Sequence, residues 1–133
     1  MRGHLRLGRP LGFPVEISWS TLVVVVILTW ALAGGVLPVA APGHATVSYY
    51  VAGLAGALSL IGSLLAHELA HAVVARRSGV QVERLTLWLF GGVATLRGDP
   101  RSPQAELRIA AVGPATSLAI AIALAAAWAA LEQ

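Results

Sequence analysis

The chain has 133 residues, of which 57% are hydrophobic and only 11% charged, with a formal charge of +3 and no cysteine. A soluble domain of this length has too little interior for that much apolar side chain, so the excess faces lipid, and the missing cysteines exclude disulfides and thiolate metal sites. The nine basic residues are all arginine and flank apolar runs instead of alternating with stacking aromatics, which argues against nucleic acid as a partner.

The N-terminal arm carries Arg2, Arg6 and Arg9, with His4 a plain member of it. Leu7 to Pro14 is too rich in Gly and Pro for a helix and leads into Val15-Glu16-Ile17, which alternates like a strand. Trp19 marks a membrane interface, and the first apolar run covers about residues 17–37. A secretory signal has a shorter apolar region, of about 7–15 residues, so this run is read as a retained helix. Gly34-Gly35 and Pro38 are expected to end it.

Pro42-Gly43 continues a short outer loop in which His44 is read as an ordinary loop residue. Tyr49 and Tyr50 mark the next interface and the second run, about 49–75. Its small residues Ala52, Gly56, Ser59, Ser63, Ala66 and Ala70 predict a seam for close helix packing. Arg76-Arg77-Ser78-Gly79 stops that helix. Two strand-like runs, Val80 to Phe90 and Val93 to Leu96, meet at Gly91-Gly92 and predict a β-hairpin over about 80–97. The hairpin is either a connector or an edge strand for an extended peptide, with Gly91, Gly92 and Val93 as candidate substrate-binding residues.

Asp99 to Pro103 reads as a turn. The third run, about 105–131, starts with Glu106 and Arg108 and contains Gly113-Pro114, which should bend the helix or free carbonyls near a site. The expected fold is thus membrane all-α, three transmembrane helices with a short cytoplasmic-side β-hairpin between the second and third. Arg2, Arg6 and Arg9 before the first span, and Arg76, Arg77, Arg84, Arg97, Arg101 and Arg108 between the second and third, predict a cytoplasmic N-terminus and an external end at Glu132 and Gln133. Glu16, Glu83 and Glu132 read as interface charges. Arginine without lysine, together with abundant Ala and Gly, suggests a prokaryotic cell membrane.

The chemistry concentrates in His67-Glu68-Leu69-Ala70-His71. Histidines four apart on a helix point the same way and can reach one zinc ion, so His67 and His71 are the candidate metal ligands. Glu68 sits beside the metal without ligating it, where it can take a proton from the attacking water and return it to the leaving amine. Ionisable groups inside an apolar helix are costly and mark function. His67 lies about 27 Å of helix from Tyr49 and about 13 Å from Arg76, which puts the motif nearer the cytoplasmic face.

The chain resembles the site-2 protease family of intramembrane zinc metalloproteases. The resemblance rests on Gly12-Phe13-Pro14-Val15 with Trp19-Ser20, His67 to Ala72 with Ala75-Arg76-Arg77 and Gly79, Gly91 to Ala94, and Gly113-Pro114-Ala115-Thr116-Ser117. It implies Zn2+ as cofactor, a bilayer, and a membrane-protein substrate cleaved in or near a transmembrane segment, and leaves room for an oligomer or partner helices. Ser18 stands where many relatives have histidine, and Ser117 where they usually have asparagine. The family's third ligand is an aspartate in a later helix, within a segment ending Leu-Asp-Gly, which has no counterpart after Ser117. The expectation is therefore an N-terminal portion of a larger protease domain. The alternative is a shortened, catalytically incomplete relative that binds or regulates a membrane partner.

Overall fold

The computed structural model describes residues 4–89 and 91–131. Arg2, Phe90, Glu132 and Gln133, named above, lie outside them. In chain order the elements are β1 (His4–Gly8), β2 (Val15–Ser18), α1 (Trp19–Ala31), a π-helical turn (Leu32–Val36), α2 (Leu37–Ala40), α3 (Thr46–Arg77), β3 (Gln81–Trp88), β4 (Gly91–Arg97) and α4 (Pro103–Leu131). Three helical stretches, Trp19–Ala40, Thr46–Arg77 and Pro103–Leu131, are long and apolar enough to cross a membrane. Val26, Trp30, Leu58, Leu118 and Ile122 stand exposed on them, and lipid tails are the solvent that suits such flanks.

Where β2 ends, Ser18 stays extended and its hydroxyl accepts from the Ser20 N–H, capping α1. Gly34-Gly35 does not stop this helix. In lipid every backbone group needs an internal partner, so the chain stays helical and absorbs the glycines in the π-helical turn before α2. Packing of α3 against α1 also differs from the expected seam. Of the expected residues Ala52, Gly56 and Ser59 are exposed, although a Cβ on Gly56 would stand 3.2 Å from Leu32 Cδ1, and Ser63, Ala66 and Ala70 are half-buried; the fully buried small residues of α3 are Gly53 and Ala57 in its first half and Ala72 and Ala75 in its last turns. At Gly53 a Cβ would stand 2.9 Å from the Thr29 carbonyl oxygen, so only glycine permits that approach. At the far end, Gly79 takes φ +88° and the Val80 N–H reaches the Ala75 carbonyl at 3.0 Å, closing the last turn of α3.

The predicted hairpin is real as a local pair but is not alone. Four strands form one sheet in the order β1-β2-β3-β4, antiparallel at β1/β2 and β3/β4 and parallel at β2/β3, with Val15 opposite Leu85 and Ile17 opposite Leu87. A two-stranded hairpin is marginal by itself. Here β3 is bonded on both edges, and Leu85 and Leu87 are fully buried. Gly91-Gly92, expected to join the strands, instead opens β4. Glu16, expected as an interface charge, is buried, with Arg6 Nε at 3.3 Å and Arg84 Nη1 at 3.6 Å. Arg6 therefore belongs to the sheet as well as to the basic arm.

Phe13, Val15, Ala72 and Leu85 form the core beneath the sheet, with Leu65, Leu69, Val82 and Ala94 packed around them. Leu65, Leu69 and Ala72 are spaced four and three apart, so one face of α3 carries the sheet. Arg76 Nη1 donates to the Leu11 carbonyl and ties the end of α3 to the loop before β2. The helix α3 lies against both α1 and α4, with the sheet seated on its C-terminal half.

Candidate metal centre and catalytic site

At 3.6 residues per turn, the face of α3 carrying His67 and His71 lies roughly opposite Leu65 and Leu69, and Glu68 falls between the two faces. The histidines meet α4 and the leucines meet the sheet. Glu68 is thereby aimed under the sheet's β4 margin.

The Nδ1 atom of His71 donates to the Ile109 carbonyl at 2.5 Å. A carbonyl only accepts, so Nδ1 carries the proton and Nε2 presents a lone pair. The Nδ1 atom of His67 lies 2.9 Å from Ser117 Oγ, which fixes the same tautomer when the hydroxyl accepts. The two Nε2 atoms converge to 3.1 Å with the rings edge-on. Nitrogens bound at zinc's usual distance in tetrahedral geometry stand about 3.3 Å apart, so the pair fits two positions of such a site. Among the described residues no group of three or more His, Cys, Asp or Glu could hold a metal ion.

Two glycines make the space. A Cβ on Gly113 would stand 2.5 Å from His67 Nε2 and closer still to His71 Nε2, filling the room before both imidazole tips. A Cβ on Gly92 would stand 2.9 Å from Glu68 Oε2 and overlap the rest of the carboxyl group. Pro114 lies inside α4, which continues through it. The remaining candidates are elsewhere: His4 is in β1, and His44 packs edge-on to Tyr49 in the loop before α3.

Sequence reasoning missed the Ile109 carbonyl, a backbone group that leaves no trace in residue type. It noted Ser117 only as a departure from a family pattern, whereas here its hydroxyl orients a histidine. Gly113 draws notice in the sequence only through its proline neighbour, and its own part is the absence of a side chain. Partners that orient histidine ligands typically contribute about 10–100-fold in metal affinity. Ser117→Ala is expected to weaken zinc binding by about that factor, measured by competition with a chromogenic chelator.

Three helices long and apolar enough to cross a membrane, a small sheet on the end of the central one and two imidazoles converging between α3 and α4 describe an integral membrane protein with a candidate metal centre. The family described as Peptidase family M50 matches residues 55–133, more than half of the chain, and the chain belongs to that family. Over 120 residues, 90% of this chain, it is 55% identical to Rip3 of Mycobacterium tuberculosis, whose name describes a zinc metalloprotease. It is 28% identical over 124 residues to the zinc metalloprotease MJ0392 of Methanocaldococcus jannaschii. Among solved structures, the site-2 protease from Methanocaldococcus jannaschii superposes with a TM-score of 0.58 at 28% identity, covering 92% of this chain and 50% of that one. The chain spans 30% of the length of Rip3 and 32% of MJ0392.

Proposed function

We propose that this chain carries the zinc-binding residues of an intramembrane metalloprotease that hydrolyses peptide bonds in or near transmembrane segments of other proteins. His67 and His71 hold the metal through Nε2. A catalytic zinc keeps three protein ligands and one open position, and the family resemblance assigns the third ligand to an aspartate on a later helix. When bound, zinc supplies a Lewis acid that polarises the scissile carbonyl and makes water nucleophilic near neutral pH.

Glu68 accepts the proton of the attacking water and delivers it to the leaving amine. The substrate lies extended along β4 at Gly91, Gly92 and Val93, adding a strand beside the carboxylate. The arginines between the second and third spans support a cytoplasmic position for this end of the molecule, with water reaching the site from that side.

What carries the reading is the pair of imidazoles, each held at Nδ1 by α4 and meeting at Nε2, with a carboxylate one residue away that faces the sheet. The test is zinc per chain in detergent-purified protein. About one zinc in the wild type and none in His67→Ala/His71→Ala is the expected result. Metal retained by the double variant overturns the ligand assignment.

A further inference from the structure

Two hydroxyls of the first membrane helix bond the end of β3 and the turn that follows it. Residues 85 and 87 of β3 turn their backbone groups to the edge that faces β2, and Leu89 follows in the turn just past the strand. The first is met by main chain, with the Leu85 N–H donating to the Pro14 carbonyl at 3.0 Å. The described pairing of β2 with β3 ends at Ile17 opposite Leu87, because the chain turns into α1 at Trp19.

At and just past that point side chains add to the ladder. Thr21 Oγ1 donates to the Leu87 carbonyl at 3.2 Å, and the Leu89 N–H donates to Ser20 Oγ at 3.1 Å. The Ser20 hydroxyl in turn donates to Ser18 Oγ at 3.0 Å, the N-cap of the same helix. Thr21 is 2% exposed and Leu87 fully buried, so water cannot replace the bond between them.

The held residues lead directly to the site. Leu87 pairs with Gly92 across the hairpin, and Gly92 is the residue lying against the Glu68 carboxyl group. We infer that Ser20 and Thr21 are positioning residues: their hydroxyls extend the β2 ladder past the start of α1 and so hold Gly92 at its distance from Glu68. The first membrane helix thereby sets the gap between the β4 strand and the catalytic carboxylate without touching the reacting atoms. This rests on the assignment of Glu68 as the base.

The experiment compares wild type, Thr21→Ser, the pair Ser20→Ala/Thr21→Val, and Glu68→Gln. Each is purified in detergent and assayed on a fluorogenic single-span transmembrane peptide and, separately, by amide hydrogen exchange. The pair variant is expected to bind zinc as wild type does, to lose at least about ten-fold in kcat with KM within two-fold, and to exchange the amides of residues 86–97 at least ten-fold faster. KM holds because the β4 edge itself survives; kcat falls because its distance from Glu68 no longer does. Thr21→Ser, which keeps the hydroxyl, should restore wild-type values.

Wild-type exchange over 86–97 in the pair variant overturns the inference, as does wild-type kcat alongside an inactive Glu68→Gln. Cleavage retained by Glu68→Gln strikes instead at the assignment of the base, and the exchange measurement then still decides whether the hydroxyls hold the hairpin.

Discussion

Glu68→Gln is expected to lower peptide cleavage by about 10²–10⁴-fold while leaving zinc content unchanged. The amide keeps the volume and the hydrogen-bonding length of the carboxylate, so Gly92 still accommodates it. It accepts no proton at neutral pH. Both imidazoles keep their Nδ1 partners on α4, Ser117 Oγ and the Ile109 carbonyl, so metal binding has no reason to change. The measurement is cleavage of a single-span membrane peptide together with zinc stoichiometry on the same preparations. Wild-type turnover by the variant removes Glu68 from the reaction, and zinc loss alongside inactivity would show it acting on the metal instead.

Gly113→Ala is the second large effect. The added methyl falls within van der Waals overlap of both Nε2 atoms, and α4 cannot retreat without breaking the bonds that Ile109 and Ser117 make to the same histidines. The expected outcome is a drop in zinc affinity of at least about ten-fold, on the scale of losing an orienting partner, read by chelator competition. Gly62→Ala is the control, because a Cβ there meets nothing within 4 Å. That change should leave zinc binding intact and add up to about 1 kcal/mol of helix stability. Equal zinc affinity in both variants would show that the room in front of the imidazoles does not matter.

Much of this architecture is legible along the chain because the signals are local. A membrane helix must be a long uncharged run, and three such runs are visible by inspection. Histidines four apart share a helix face whatever surrounds them, so the motif needs no tertiary information to be noticed. The strand-like runs around Gly91-Gly92 are also local, though the glycines themselves lie within β4, opposite Leu87 and Trp88, and do not form the turn.

What was not legible is non-local. The pairing of β2 with β3 joins residues separated by two membrane-crossing helices, and no periodicity announces a partner some seventy residues away. Glu16 looks like any interface carboxylate until Arg6 and Arg84 close over it from the neighbouring strands. Ser20 and Thr21 look like small helix-start residues, and their bonds to Leu89 and Leu87 exist only because the sheet meets the start of α1.

By itself the sequence determined the three spans, the helix that carries His67, Glu68 and His71, and the local hairpin, because each follows from composition or from the period of one element. The tertiary structure alone decided the four-stranded sheet, the tautomer-setting partners on α4 and the glycine clearances at Gly92 and Gly113. Those depend on which surfaces meet, and a contact between distant segments is written in neither segment alone.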